Sequence, residues 1–315
     1  MVEPLRRRLR GRLVRLASAT SVALPRPVVL GGLQGAAWLS RFSGFEQTTR
    51  ANLELALGDE LEEEELRRIA AGVRRHTARI AYEWLQLASI GGRRERWLRE
   101  HVDVDDSISV LREELARGRG ALVVTAHIGN WELLAATLAR LGFGGAVVGL
   151  EKRKDPTAAW LVEMRRSYGA ETIPQHSHPR ALVRVLERGE VLGMLCDLEA
   201  RRLAGEFVPF FGKPALTMSA PAALARSRRV RLVPARCVLP REGAPHYRLS
   251  VEEPLAYDFA RPRAEATREL LTRLNAVFEG WIRETPDQWA WHQPRWRARP
   301  GELEASPAAP RPGRD

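Results

Sequence analysis

The sequence predicts an α/β fold, with a mixed, largely parallel central sheet flanked by helices and a helical N-terminal region in front of it. Two observations carry that expectation. Short apolar runs, "ALVVTA" at 121–126, "GAVVGL" at 145–150, "VLGMLC" at 191–196 and "VRLVPARCVL" at 230–239, alternate with helical segments at 157–168, 179–188 and 215–228. Alternation of strand and helix is the pattern of a sheet with parallel pairs and helices on its faces. Ahead of them, between residues 46 and 90, Leu66, Ile69, Ala70, Val73, Ile80 and Trp84 recur at three- and four-residue steps, the period of an amphipathic helix.

Each element has a local reason. Residues 1–45 join a basic stretch, "MVEPLRRRLRGRLVRL", to a moderately apolar one broken at Pro25-Arg26-Pro27. Arg15 and that break keep both apolar pieces short of the ~20 residues a spanning helix needs. A cleaved signal peptide fits only in outline, because its apolar region is weak. The preferred reading is a basic amphipathic segment lying on a membrane; the alternative is a helix pair packed on the domain. The domain itself is expected over 46–300, helical to 118 and α/β from 119. "ELEEEE" reads as the acidic first turn of a helix. "DSISVLREELARGRG" forms another helix, closed by Gly118 and Gly120. "YRLSVEEPL" adds an antiparallel strand, a helix follows over 262–284, and 301–315 reads as a disordered tail.

Composition narrows the partners. Fifty Lys and Arg against 39 Asp and Glu leave a net charge of +11, which favours anionic partners such as a membrane surface, a phosphorylated lipid or an acidic carrier protein. The basic residues run through the whole chain without a recognisable reader motif, so nucleic acid is not expected. Cys196 and Cys237 lie in apolar stretches and read as buried, reduced thiols. His176 and His178 in "PQHSHPR" lack a carboxylate or thiol companion. No metal and no cofactor are expected.

The stretch "AHIGNWELLA" holds the candidate chemistry. Residues five apart on a helix are rotated by about 500° and do not share a face. His127 and Glu132 therefore meet only if the histidine stands outside the helix, at the carboxyl end of "ALVVTA", with Gly129-Asn130 opening the helix and Glu132 in its first turn. Ligand sites of open α/β sheets occupy that edge. A neutral imidazole there serves as the base that takes the proton of a hydroxyl attacking an acyl thioester. A carboxylate on its other nitrogen fixes the tautomer. Main-chain amides around Gly129 offer hydrogen bonds to an oxyanion.

This block resembles the HX4(D/E) motif of the glycerolipid acyltransferase superfamily, in its lipid A biosynthesis late acyltransferase branch. Three further stretches agree in order: "RANLELAL" with Glu83, "GEFVPFFGKPALTMSAPAALARSRRVRLVPA", and the closing "PDQWAWHQPRWRARP". Together they cover roughly residues 45–300. The resemblance implies transfer of a fatty acyl chain from acyl carrier protein or coenzyme A to a hydroxyl of a lipid A precursor or related glycolipid. It places the chain at the cytoplasmic side of the inner membrane, peripheral or monotopic. It implies His127 as general base, Glu132 as its partner, and Asp197 in "MLCDLEA" as a residue shaping the acceptor site or, alternatively, capping a strand end. Gly129 and Asn130 fall within the substrate-facing block.

The chain departs from the family pattern at three places. Glu151 stands where an arginine is common, leaving Lys152 and Arg153 either to bind a substrate phosphate or carboxylate or to form a solvated turn. Gln293 and Pro294 replace a usual histidine and basic residue. Leu198-Glu199 follow Asp197 in place of more polar pairs. These changes leave the reaction type intact and open the acceptor to another glycolipid, a lysophospholipid or a secondary-metabolite scaffold; the alternative from a different class is a non-catalytic basic protein that binds membrane or nucleic acid. Phe207, Phe210 and Phe211 line an acyl slot or pack the core. Trp281, Trp289, Trp291 and Trp296, set among arginines, suit a membrane interface or helix packing.

Overall fold

The computed structural model describes residues 5–149, 156–199, 203–241 and 243–300, with side chains from Leu13 onward. Among the described residues eleven α-helices run α1 (Leu5–Ala23), α2 (Arg26–Leu39), α3 (Gly44–Leu57), α4 (Glu63–Ser89), α5 (Arg94–Arg99), α6 (Ile108–Ala116), α7 (Trp131–Arg140), α8 (Pro156–Ser167), α9 (Pro179–Glu187), α10 (Ala220–Arg228) and α11 (Arg263–Glu284). The same residues form nine strands, β1 (Val102–Val104), β2 (Ala121–Thr125), β3 (Gly145–Gly149), β4 (Ala170–Pro174), β5 (Val191–Leu195), β6 (Gly205–Phe210), β7 (Lys213–Met218), β8 (Leu232–Val238) and β9 (Tyr247–Val251).

Seven strands form the central sheet in the order β1-β9-β8-β2-β5-β3-β4, and β6 and β7 form a separate hairpin. Every pair in the large sheet is parallel except β8 with β9, as the α/β expectation required. Central β2 is buried along its whole length, because a parallel strand covered on both faces has no solvent side. Its residues alternate between two cores. Leu122 and Val124 face α3, α9, α10 and α11, while Ala121 and Val123 face α5, α6, α7 and α8. The long helix α4 contributes Leu66, Ile69 and Val73 to the first core and Leu85 and Leu87 to the second.

The helix expected over 215–228 begins only at Ala220. Residues 213–218 instead pair antiparallel with 205–210. Phe211 and Gly212 form the two-residue turn between them, with φ of 51° and 68°. Two positive φ angles in succession give the hairpin turn whose twist matches the flanking strands. Besides β6 and β7, two more strands were not legible in the sequence: β1, three residues long, and β4, an edge strand after α8.

The N-terminal helices pack on the domain. The Ser18 hydroxyl donates to the Leu85 carbonyl at 3.1 Å and the Gln86 amide donates to the Ser21 carbonyl at 2.6 Å, joining α1 to α4. Further along, Val28, Trp38, Leu39 and Phe42 remain exposed, and α2 has no buried residue. No helix among the described residues is long and apolar enough to cross a membrane.

Candidate active site

Strand register decides which side chains meet. β2 and β5 lie side by side, parallel, with Thr125 opposite Leu195. Two residues further along each chain come His127 and Asp197, at the carboxyl edge of the sheet. Asp197 Oδ1 accepts from His127 Nδ1 at 2.8 Å, and Oδ2 accepts from the His127 main-chain amide at 2.8 Å and from the Trp289 indole at 2.7 Å. Burial alone would raise the Asp197 carboxyl. The charge of His127, its two hydrogen bonds and the indole outweigh burial and hold the group below the usual carboxylate range. Asp197 is therefore an anion with all its contacts inside the protein.

An ionised partner at Nδ1 puts the ring proton there and leaves the lone pair on Nε2. The His127 side chain is 26% exposed, so that edge is reachable while its partner is sealed. Trp131 packs edge-on against the ring at 4.9 Å. The segment after α11 holds the loop from the other side: Ala290 donates to the His127 carbonyl at 3.0 Å and Gly129 donates to the Gln288 carbonyl at 3.1 Å.

The expected His127–Glu132 contact is not made. Glu132 is the second residue of α7 and turns away from the strand end towards α8. There Arg165 binds it through Nε and Nη2, with Nε at 3.2 and 3.1 Å from its two oxygens, and the Tyr168 hydroxyl donates at 2.8 Å. Burial works against the Arg165 charge, but Glu132 and Tyr168 overcome it and raise its value further. Burial and the Glu132 charge likewise push the Tyr168 hydroxyl well up. The carboxylate that orients His127 comes from the neighbouring strand, 70 residues on.

Gly129 and Asn130 are also placed differently from the expectation. Both are buried and every main-chain polar group that would face a ligand is taken. The Gly129 carbonyl accepts from His76 Nε2 at 3.0 Å, and the Asn130 amide donates to the Cys237 carbonyl at 2.8 Å. At Gly129, φ is +58° and a Cβ would lie 2.0 Å from the Cys237 carbonyl oxygen, so only glycine fits. Asn130 caps α7 by accepting from the Leu133 amide at 3.2 Å, accepts from the Trp84 indole at 3.1 Å, and donates to Glu83 at 2.8 Å. Glu83 in turn is bound by Arg79 Nε at 2.9 Å. Burial raises the Glu83 carboxyl against the opposing pull of Arg79, and burial lowers His76 to about 4, so that ring is neutral. Helix α4 thus clamps the turn that carries His127.

The phenylalanines do not form the apolar slot. Phe210 and Phe211 are buried against Trp289, Trp291 and Trp296, and Phe207 sits on the same hairpin. Trp281, Trp289 and Trp291 are core residues, which removes them from a membrane interface. Fully buried Arg295 joins this cluster to the hairpin, donating to the Leu216 carbonyl at 2.7 Å and the Thr217 hydroxyl at 2.8 Å. A narrow apolar cleft lies elsewhere. It runs between α7 and the sheet, walled by Trp131, Leu134, Leu138, Val147, Gly193 and Met194, with Glu132 and Arg165 also on its wall. Trp131 lines the cleft and touches His127, so cleft and imidazole share a border. Lys152 and Arg153 lie outside the described residues. His178 caps α9, its Nδ1 accepting from the Arg180 amide at 3.2 Å. Among the described residues no cluster of three His, Cys, Asp or Glu side chains is arranged to hold a metal.

Sequence reasoning missed Arg165, Tyr168 and His76 as neighbours of the site, and they carry no local signal. Trp289 was visible within the closing motif, though its bond to Asp197 was not.

Comparison with known proteins agrees with this architecture. The family model described as bacterial lipid A biosynthesis acyltransferase matches residues 10–298. A phosphatidylinositol mannoside acyltransferase of Mycolicibacterium smegmatis is 31% identical over 170 residues, 52% of this chain and 55% of that protein. One of Mycobacterium tuberculosis (strain CDC 1551 / Oshkosh) is 28% identical over 160 residues, 49% of this chain and 50% of that protein. The chain spans about half the length of the curated relatives it matches. It belongs to the bacterial lipid A biosynthesis acyltransferase family.

Proposed function

We propose, from that family membership, that this chain transfers a fatty acyl group from an acyl carrier protein or coenzyme A thioester to a hydroxyl of a glycolipid. The observation that carries the reading is the His127–Asp197 pair at the sheet's carboxyl edge, bordered through Trp131 by an apolar cleft. Asp197 holds the proton on Nδ1, so Nε2 accepts the proton of the acceptor hydroxyl as its oxygen attacks the thioester carbonyl. The tetrahedral intermediate collapses, the carbon–sulfur bond breaks, and the imidazolium, steadied by Asp197, returns its proton to the departing thiolate. The α7 first-turn amides of Trp131 and Glu132 are suited to the oxyanion, because the first N–H groups of a helix lack partners within it. The cleft takes the acyl chain, its apolar wall supplying the burial that a long hydrocarbon gains on leaving water.

Two acceptors fit the family: a lipid A precursor, and another glycolipid. The mycobacterial relatives, named for a phosphatidylinositol mannoside, favour the second. The chain works at an anionic membrane surface, the cytoplasmic face of the inner membrane, held there by α1, α2 and the turn after them. Arg41 lies over the exposed Trp38 and Phe42 rings at 4.4 and 4.5 Å, joining apolar and cationic contacts at one tip. The test is incubation with labelled acyl carrier protein or acyl-coenzyme A and a bacterial lipid extract. Label is expected in a glycolipid, and none with His127→Ala. Label transferred undiminished by that variant rejects the mechanism; label in no lipid rejects the function.

A further inference from the structure

The segment that follows α11 brings a second histidine to the site. Ala290 pairs with the His127 carbonyl, and the chain then turns, closed by the Gln293 amide donating to the Ala290 carbonyl at 2.9 Å. Trp291 and His292 occupy the corners of that turn. Trp291 is fully buried and fixes one side. Asn52 of α3 fixes the other, its Nδ2 donating to the Trp291 and Gln293 carbonyls at 2.7 and 2.9 Å. The His292 ring stacks on Phe45, with centroids 4.4 Å apart and planes 17° from parallel. Backbone and ring are therefore held from three directions.

A ring held so firmly has no hydrogen-bonded partner for its nitrogens among the described residues. Nδ1 is closed off from solvent and unbonded. A buried polar atom without a partner costs about 1–3 kcal/mol, and such an atom beside a reactive group calls for a reason. Burying a bare imine nitrogen is cheaper than burying an unpaired N–H, so the proton belongs on Nε2, at the edge of this half-buried ring. Burial and the nearby His127 charge lower His292 to about 4, so the ring stays neutral while His127 gains and loses its proton.

We propose that His292 is a specificity-determining residue that donates a hydrogen bond from Nε2 to an oxygen of the acceptor next to the reacting hydroxyl. His127 Nε2 supplies an acceptor and His292 Nε2–H a donor, two complementary functions for neighbouring oxygens of one head group. A polyhydroxylated head group satisfies both; a solitary fatty alcohol satisfies one. Phe45 stands three residues after Phe42 of the exposed tip, so the acceptor reaches His292 from the proposed membrane side. No proton transfer is assigned to His292. The inference rests on the acyl-transfer reading above.

The experiment uses the full chain, acyl-coenzyme A as donor, and the glycolipid fraction that the native protein labels. His292→Phe keeps the stacked ring and removes both nitrogens. We expect kcat/KM for the glycolipid to fall about 10- to 100-fold, the loss of one well-placed hydrogen bond. The donor KM should not change, and the melting temperature should hold or rise because an unpartnered polar atom is gone. His292→Gln, which keeps a donor, should recover most of the loss. Equal losses towards donor and acceptor, or native kinetics in His292→Phe, overturn the proposal. Nitrogen-15 spectra of the native chain give an answer that does not depend on variant folding: saturation with the glycolipid should move the His292 ring signals, and unmoved signals overturn it. A native protein that labels no lipid at all would instead remove the acyl-transfer reading.

Discussion

Replacing Asp197 by asparagine separates the two carboxylates that the chain offers to His127. Asparagine has one acceptor oxygen and one NH2 group. The His127 amide and the Trp289 indole converge on Oδ2, so the amide oxygen stays there and the NH2 group takes the place of Oδ1, facing Nδ1. An N–H opposite Nδ1 demands a lone pair on it, which moves the ring proton to Nε2 and abolishes the base. In a hydroxyl–imidazole–carboxylate relay this wrong tautomer lowers turnover on the order of 10⁴-fold. That corresponds to roughly 5 kcal/mol of barrier at about 1.4 kcal/mol per decade. Two of the three hydrogen bonds survive, so the fold should persist. Steady-state transfer from labelled acyl thioester to glycolipid measures the effect: kcat should fall about 10³- to 10⁴-fold, with both KM values within about threefold of native. A folded Asp197→Asn protein turning over within tenfold of native would refute the assignment.

Glu132→Gln should behave differently, because it strips Arg165 of a buried counter-charge and leaves His127 untouched. Its stability in urea should drop by about 3–5 kcal/mol, while folded protein keeps turnover within about tenfold of native; a large loss of kcat without loss of stability would return Glu132 to the reaction. His76 is held neutral, near 4 in the folded chain, against about 6.5 when unfolded. Between those values the unfolded chain binds the additional proton, so stability falls as pH drops from ~6.5 to ~4, by about 3 kcal/mol from this group. His76→Gln should flatten that part of the acid limb of melting temperature against pH, and an unaltered limb would contradict it. Trp38→Ala with Phe42→Ala should reduce sedimentation with phosphatidylglycerol vesicles by about tenfold or more, since each ring is worth about 1–2 kcal/mol at an interface; undiminished sedimentation would place membrane contact elsewhere.

Apolar patterning along the chain was enough to find β2, β3, β5 and β8, the α/β class and the position of His127 at a strand end. Those features are local, written in apolar period and in the glycines and asparagine that close a strand and open a helix. Asp197 and Phe210 were legible as residues, and their surroundings were not. Glu132 is five residues from His127 and points to α8, whereas Asp197 is 70 residues away and touches it. The hydrogen-bond register of β2 on β5 sets that choice, because parallel strands in register deliver residues at equal distance past their ends to one edge. Likewise the turn at Phe211-Gly212 folds the phenylalanines back onto Trp289 and Trp291, leaving the apolar cleft to α7 and the sheet. Which side chains are neighbours depended on strand pairing and helix packing, and neither is encoded by spacing along the chain.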